Sequence, residues 1–280
     1  MPSGQGRSSN AKMIRRTLQE TKQATYSVDL PCSSMEGMPT PTGTGFFVSS
    51  DGWFITAAHV VTEDGSPTGP LRTDVDKCWL MKESRPGKFM EGMCESVRLE
   101  TVLPEMDIAI LKVDFAANAN KDHFRGLDGF PHLTVSKRRL EEGESVYAFG
   151  YPLPKPQSLA DGGHMMYGHG GIAPRTTSAI VASTMDRTLV ASSGHEPQVY
   201  VLDKAFNYGN SGGPVIATET GRVHALCSRF QHVDIRQPYK TADGEDMYIR
   251  IPSLYGVVSS LSDPRVIAEL AKRGVPLSDE

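Results

Sequence analysis

Residues 206–217 read FNYGNSGGPVIA, and the class of fold depends on the residues directly after the serine in this stretch. Ser211 satisfies the loose pattern G-x-S-x-G, which two unrelated hydrolase architectures use to expose a nucleophile and which chance also produces. An α/β-hydrolase needs a helix immediately after that serine. Here two glycines and a proline come next, and then Val-Ile-Ala, which predicts a strand. The α/β-hydrolase arrangement is therefore excluded.

The middle of the chain consists of short β-rich runs. GTGFFVSSDGWFITAAHVV (43–61) has two apolar runs around an Asp-Gly turn, the pattern of a β-hairpin. Further runs, separated by Gly, Pro and Asp, are DIAILKV (107–113), SVYAFG (145–150), SAIVAS (178–183), QVYVL (198–202) and HALCSRF (224–230). Residues 11–22 carry a sparse apolar stripe, and 262–274 show helix start and stop signals. This order predicts an all-β sandwich or pair of barrels with helices only at the ends.

Composition and charge narrow the classes of function. The chain has 280 residues, 39% of them hydrophobic and 22% charged, which is an ordinary globular composition that can bury a large core. A formal net charge of -4 gives no overall basic field, so no nucleic-acid partner is expected. No apolar run is long enough to span a bilayer. Residues 1–16 hold four cations and no acid, which indicates a solvated arm, with a transit peptide as the alternative.

Cysteine and histidine spacing gives little support for a metal site. The four cysteines show neither C-x-x-C spacing nor paired histidines: Cys32, Cys78, Cys94 and Cys227. Reduced thiols in a cytoplasmic protein are the simplest interpretation. His164 and His169 lie in a long loop, where incidental histidines are the expected interpretation and metal ligands the alternative. We expect no metal and no cofactor.

A nucleophilic serine needs partners, and two candidates lie upstream. An imidazole must take the serine proton, and a carboxylate must hold the imidazole in the correct tautomer. His59 comes after a predicted strand and two small residues, and Asp107 opens an otherwise apolar strand. Considered alone, each of these residues more often has a structural role. His59 would be a histidine whose hydrogen bonds are satisfied within the fold, Asp107 a turn or cap residue, and Ser211 part of a tight glycine turn. Together they occur in the order His, Asp, Ser, which two-barrel serine proteases use.

In family order from about residue 43 to 253, the chain resembles a trypsin-like (chymotrypsin-fold) serine protease and is most similar to the HtrA/Deg-type protease domain. The matching stretches are GTGFFVSSDGWFITAAHVV, DIAILKV, GESVYAFGYP, SAIVAS, DKAFNYGNSGGPVI, GRVHALCSRF and MYIRIPS. The resemblance implies an all-β fold of two antiparallel β-barrels of the chymotrypsin type, with a short N-terminal arm and a C-terminal helix. The implied division is an arm at 1–24, barrels at 25–125 and 126–260, and a helix and tail at 261–280.

The resemblance also implies roles for residues at matching positions. His59 would be the general base, Asp107 its orienting acid and Ser211 the nucleophile. The backbone N–H groups of Gly209 and Ser211 would form the oxyanion hole, and the glycine tolerates the positive φ that this needs. Asn210 stands where secreted relatives carry the acid that pairs with a newly cut N-terminus, so activity without processing is expected.

Two more glycines and a specificity pocket complete the expected site. Gly212 and Gly213 would leave room for the substrate. The resemblance places six residues around the pocket for the side chain before the scissile bond: Ala205, Tyr208, Ser228, Arg229, Phe230 and Asp246. With an uncharged floor at Ala205 and a ring at Phe230, a shallow pocket for Ala, Val or Leu is expected. Asp246 leaves a preference for Arg or Lys open.

The implied function is that of a serine endopeptidase acting on polypeptide substrates, with an unidentified regulatory protein partner left open. The alternative is a catalytically silent binding module that keeps the protease fold. Intact triad and glycine motifs favour the enzyme, because a binding role does not need all of them.

Overall fold

Two β-sheets hold successive halves of the chain. This computed structural model describes residues 5–31, 39–83, 90–92, 95–152, 174–184, 198–240, 243–244 and 246–280. The helices are α1 (Gln5–Ala24), α2 (Phe115–Asn118) and α3 (Pro264–Lys272). The strands are β1 (Thr25–Pro31), β2 (Pro39–Phe47), β3 (Trp53–Thr56), β4 (Trp79–Glu83), β5 (Met90–Gly92), β6 (Val97–Leu103), β7 (Ile108–Val113), β8 (Val135–Ser136), β9 (Ser145–Gly150), β10 (Arg175–Ser183), β11 (Val199–Leu202), β12 (Pro214–Ala217), β13 (Val223–Lys240), β14 (Asp246–Ser260) and β15 (Leu277–Ser278).

The first sheet has the order β5-β4-β1-β2-β3-β7-β6, and its neighbouring strands are antiparallel. Strands β2 and β3 form the predicted hairpin, in which Phe46 pairs with Ile55. Gly52 turns the chain at a φ of 103°, and a Cβ there would lie 2.0 Å from the carbonyl oxygen of Val113. Glycine is therefore required at this turn for both conformation and space.

Aromatic rings fill the core of the first sheet. Phe47 stacks on Phe130 with ring centroids 4.2 Å apart, and it meets Phe54 and Tyr26 edge-to-face at 4.9 and 5.4 Å. Phe130 belongs to the connection between the two sheets. Because ring pairs of this kind contribute about 0.5–1.5 kcal/mol beyond their burial, the connection is anchored in the core of the first sheet.

The second half is a closed six-stranded barrel of β9 to β14, in which β12 pairs with both β9 and β13. Strands β8 and β15 extend it through parallel pairing. The prediction of two barrels holds for this half. In the described part of the chain, β5 and β6 are the two ends of the first sheet, which is antiparallel but open. Alternating apolar patterns look the same in open and closed sheets, so the sequence cannot distinguish them.

Two of the described helices, α1 and α3, lie at the ends of the chain as predicted, whereas the short α2 lies between the two sheets in sequence and was not predicted. In α1, Thr21 is buried; its hydroxyl donates to the carbonyl of Thr17 at 2.7 Å and lies 3.3 Å from the Tyr147 hydroxyl of β9. The N-terminal helix is thus attached to the second barrel. At the start of α3, the Asp263 side chain accepts the N–H of Arg265 at 2.9 Å, which caps the predicted C-terminal helix.

Asp29 is an ionisable group inside the first sheet. It is 5% exposed in β1, and the hydroxyl of Ser27 donates to its Oδ1 at 2.5 Å. Burial raises the pKa of Asp29 from 3.8 to about 6, and the hydrogen bond from Ser27 only partly opposes this. The folded protein therefore favours the protonated acid.

We expect Asp29→Asn to stabilise the fold at neutral pH. A pKa that is higher in the folded state gives stability below the unfolded pKa and loses it as pH rises through the folded pKa. The ionisation of Asp29 alone should therefore remove about 2 kcal/mol of unfolding free energy from the wild type between pH 4 and pH 7, because this range covers most of a shift of about two pKa units. Asparagine avoids this loss and can still accept from Ser27. Urea unfolding at several pH values, with the exposed-site variant Asp122→Asn as control, measures the difference. Parallel pH profiles for the wild type and Asp29→Asn would contradict it.

Candidate active site

His59 and Asp107 come from two neighbouring strands of the first sheet. His59 lies in a single helical turn after β3, and Asp107 directly precedes β7, which pairs with β3. Nδ1 of His59 lies 2.9 and 3.0 Å from the two carboxylate oxygens of Asp107. The carboxylate can only accept, so Nδ1 carries the proton and Nε2 keeps a free lone pair. A base in this tautomer can take a proton from a hydroxyl.

Asp107 is buried, and its carboxylate accepts several hydrogen bonds. The backbone N–H of His59 donates to Oδ1 at 3.0 Å, and the hydroxyl of Ser228 donates to Oδ2 at 2.5 Å. With the ring Nδ1–H of His59, three donors meet a carboxylate of a residue only 4% exposed. The aspartate itself has a left-handed φ of 53°, which Asp tolerates better than most residues. These bonds satisfy the buried carboxylate and hold it in one orientation.

Ser211 lies on the loop that precedes β12, and it lines one cleft together with His59 and Asp107. Its hydroxyl donates to the carbonyl of Ser228 at 3.4 Å, a long and weak bond. Among the described residues this is the hydrogen bond of the Ser211 side chain, and it does not go to His59. Catalytic hydrogen bonds are often long or misaligned without substrate and tighten when it binds. The weak bond leaves the hydroxyl free to turn towards the imidazole.

The loop around Ser211 has two backbone N–H groups that find no backbone acceptor among the described residues, and both belong to residues that line the cleft. Gly209 has a φ of 92°, in the region where glycine is favoured, as expected from the sequence. In the described part of the chain, the N–H groups of Gly209 and Ser211 have no acceptor among backbone carbonyls. Two free N–H groups near a nucleophile are the donors that a developing oxyanion requires.

The structure shows a packing role for Gly212 and Gly213 that the sequence did not predict. A Cβ on Gly212 would lie 2.1 Å from the carbonyl oxygen of Thr44 and 2.4 Å from Oγ1 of Thr56. A Cβ on Gly213 would lie 2.2 Å from the carbonyl oxygen of Phe149. Both glycines are therefore needed because the loop packs closely against neighbouring atoms of the protein.

A cleft of about 330 Å³ joins the candidate catalytic residues to the predicted pocket residues. Besides His59, Asp107 and Ser211, its lining is Thr42, Gly65, Pro67, Phe206, Asn207, Tyr208, Gly209, Cys227, Ser228 and Arg229. Burial raises the pKa of the Cys227 thiol, so this neighbouring cysteine stays protonated and is a poor nucleophile. Ser211 therefore remains the candidate nucleophile among the residues that line the cleft.

Some of the predicted pocket residues line the cleft and others do not. Tyr208, which is 66% exposed, and Arg229 line the cleft, whereas Ala205 does not; its neighbour Phe206 takes that place. The sequence reasoning missed Phe206, although an aromatic residue three positions before Gly209 was a visible signal.

Two further predicted pocket residues, Phe230 and Asp246, are located by their backbone. Phe230 pairs with Gly256 across β13 and β14, while Asp246 pairs with Lys240 at the other end of this long hairpin. Asp246 comes ten positions before Gly256 in β14, which corresponds to about 30 Å of extended chain at roughly 3.3 Å per residue. The structure does not bring the backbone of Asp246 to the cleft.

Ser228 has a second role that the sequence did not indicate. It was expected only as part of the pocket wall, yet its hydroxyl is bonded to Asp107 across 121 residues of chain. A hydroxyl residue directly after the apolar run Ala-Leu-Cys (225–227) is the one available signal.

The segment that carries the candidate triad is similar to a known protein family. The trypsin-like peptidase domain matches residues 43–226, a span that contains His59, Asp107 and Ser211. The chain belongs to the trypsin-like peptidase family. The resemblance expected from the motifs is thereby confirmed, and HtrA-type proteases are among the similar proteins.

Two curated relatives and one solved structure illustrate the similarity of this trypsin-like peptidase. It is 27% identical over 278 residues to uncharacterized protein y4bJ of Sinorhizobium fredii, covering 95% of this chain and 36% of that protein. It is 26% identical over 182 residues to serine protease HTRA4 of Homo sapiens, covering 64% and 28%. The chain therefore spans about a third of the length of these relatives. The active form of Rv3671c protease from M. tuberculosis has the same fold, with a TM-score of 0.53, 18% identity and coverage of 96% and 88%.

The described part of this trypsin-like peptidase shows neither a membrane helix nor a metal cluster. Within the residues that the structure describes, no helix is long and apolar enough to cross a bilayer. The same residues contain no group of three or more His, Cys, Asp or Glu that could hold a metal ion. His164 and His169, the alternative metal ligands, lie outside the described residues.

Proposed function

We propose that this trypsin-like peptidase is a serine endopeptidase that hydrolyses peptide bonds of protein substrates through an acyl-enzyme intermediate. The observation that carries the proposal is that Ser211 and the hydrogen-bonded pair of His59 and Asp107 line one cleft. A binding module has no need of a buried carboxylate that fixes the tautomer of a partly exposed imidazole in the same cleft as a weakly bonded serine.

The proposed reaction uses each group in turn. Oγ of Ser211 bonds to the carbonyl carbon of the substrate while its proton passes to Nε2 of His59. Asp107 stabilises the imidazolium that forms, and the N–H groups of Gly209 and Ser211 bind the new oxyanion. The C–N bond then breaks as His59 returns the proton to the leaving amine. Water, deprotonated by the same imidazole, releases the acyl group and restores the serine.

A fluorophosphonate probe tests this proposal directly. We expect covalent labelling of the wild type at Ser211, confirmed by peptide mass spectrometry, and none in Ser211→Ala. Ser50→Ala, which removes an exposed hydroxyl elsewhere, is the matched control and should be labelled like the wild type. A folded wild type that does not react would contradict the proposal and favour the silent binding module.

We also propose that the pocket prefers small or medium aliphatic side chains before the scissile bond. Phe206 gives the cleft an apolar lining, and the exposed guanidinium of Arg229 disfavours a second cation there. Each methylene that fits such a pocket contributes about 1–3 kcal/mol to discrimination. A positional peptide library should therefore select Ala, Val or Leu. Selection of Arg or Lys, lost in Asp246→Ala, would assign specificity to Asp246 instead.

A further inference from the structure

Thr44 lies on β2 in the first sheet, yet most of its hydrogen bonds cross to the second half of the chain. The residue is fully buried. Its N–H donates to the carbonyl of Ser211 at 2.7 Å, and its hydroxyl donates to the carbonyl of Gly209 at 2.6 Å. The hydroxyl in turn accepts the N–H of Tyr151 at 2.9 Å, and the Thr44 carbonyl accepts the Thr56 hydroxyl at 2.7 Å. Every polar group of Thr44 is therefore bonded.

The hydroxyl bond holds the peptide plane that connects Gly209 to Asn210. The carbonyl of this plane is held by Thr44, and its N–H, which belongs to Asn210, donates to the carbonyl of Asn207 at 3.1 Å. The next plane carries the N–H of the nucleophile, and its carbonyl accepts the N–H of Gly213 at 2.8 Å. A plane fixed at its carbonyl also fixes the direction of its N–H, because the peptide group is rigid.

The backbone bond from Thr44 holds the plane on the other side of the nucleophile. That plane joins Ser211 to Gly212; Thr44 holds its carbonyl, and its N–H donates to the carbonyl of Cys227 at 2.7 Å. The N–H of Ser211 thus lies between two planes that Thr44 holds directly. One residue of the first sheet is therefore bonded on both sides of the nucleophile to a loop of the second half of the chain.

The two hydrogen bonds that Thr44 donates differ in which residue types could form them. Any residue except proline supplies the backbone N–H, but the bond to Gly209 requires a hydroxyl. Gly209, at a φ of 92°, has the backbone freedom to rotate when that bond is lost. The Thr44 hydroxyl oxygen accepts the N–H of Tyr151, and the single proton of this hydroxyl is directed at the carbonyl of Gly209.

We propose that Thr44 is a positioning residue for the oxyanion donors, acting through its hydroxyl on the Gly209 peptide plane. The inference rests on the proposed hydrolysis at Ser211. Donors aimed at the oxyanion act in the transition state and contribute little to ground-state binding. Loss of the Thr44 hydroxyl should therefore lower kcat and leave KM nearly unchanged.

Thr44→Val tests this inference because it keeps the volume, the β-branch and the backbone N–H and removes the hydroxyl. We expect kcat on a peptide substrate to fall about 10- to 100-fold, which is no more than the effect of removing one oxyanion donor. KM should stay within about twofold of the wild-type value. Thr44→Ser should restore most of the rate, and Thr44→Cys, with a weak S–H donor, should lie between. Thr21→Val is the matched control: it also removes a buried hydroxyl that donates to a backbone carbonyl, but in α1.

Active-site titration and thermal unfolding separate positioning from stability. A purely structural role for Thr44 would lower the melting temperature, as in Thr21→Val, and leave kcat per folded molecule unchanged; that outcome overturns the inference. A rise in KM alone, or a serine variant as slow as valine, also overturns it. If Thr44→Val does not fold, the order of kcat among wild type, Ser and Cys decides, and equal values contradict the role. An unreactive wild type would instead contradict the proposed function itself.

Discussion

Ser211→Ala and His59→Ala are each expected to lower kcat for peptide hydrolysis by about 10⁶-fold while leaving the protein folded. Without the serine no acyl-enzyme forms, and without the imidazole no group in the cleft receives the serine proton at neutral pH. Ser211 makes one long side-chain hydrogen bond, and the His59 ring is bonded through Nδ1, so neither truncation should remove more than modest stability. Steady-state kinetics with an internally quenched peptide, and thermal unfolding of each variant, measure the two effects.

The double variant shows whether the two residues act as one unit. We expect Ser211→Ala combined with His59→Ala to be about as slow as either single variant, because removing one partner already disables the other. The remaining rate comes from the oxyanion donors and substrate binding. If the two losses multiply in the double variant, the residues act independently and the proposed proton transfer between them is wrong.

Asp107→Asn is expected to lower kcat about 10⁴-fold, the second largest effect. In the wild type, Oδ1 accepts the backbone N–H of His59. The NH2 group of asparagine is itself a donor, so the amide oxygen must take the Oδ1 position and the NH2 group the Oδ2 position. There it meets Nδ1 of His59 and the hydroxyl of Ser228, which can rotate to accept. The ring must then carry its proton on Nε2, the tautomer that cannot take a proton from Ser211.

NMR of the imidazole nitrogens, together with kinetics, tests this tautomer exchange. The wild type should show the proton on Nδ1 of His59 and the variant on Nε2. Ser228→Ala is the control, because it removes one hydrogen bond from Asp107 but leaves its charge, and it should cost far less. A variant with Nδ1 still protonated, or a rate near that of the wild type, would contradict the orienting role of Asp107.

Local patterns in the sequence were enough for the secondary structure around the candidate site. The Asp-Gly turn predicted the hairpin of β2 and β3, because only glycine fits the backbone at position 52. The strand after Ser211 was predictable from the Gly-Gly-Pro-Val-Ile-Ala run, and the cap and proline at the start of α3 marked the C-terminal helix. The family motifs supplied the candidate roles of His59 and Ser211, whose neighbours in sequence carry the signal.

Contacts between distant segments were not predictable in this way. The bonds of Ser228 to Asp107 and of Thr44 to Gly209 join residues 121 and 165 positions apart, and neither partner has a local pattern that names the other. The open edge of the first sheet and the distance of Asp246 from the cleft depend on strand register and closure. Turns and strands are determined by the conformational preferences of neighbouring residues. Which side chains meet across the cleft depends on how the two sheets are arranged, and that arrangement is determined by the burial of apolar surface over the whole chain.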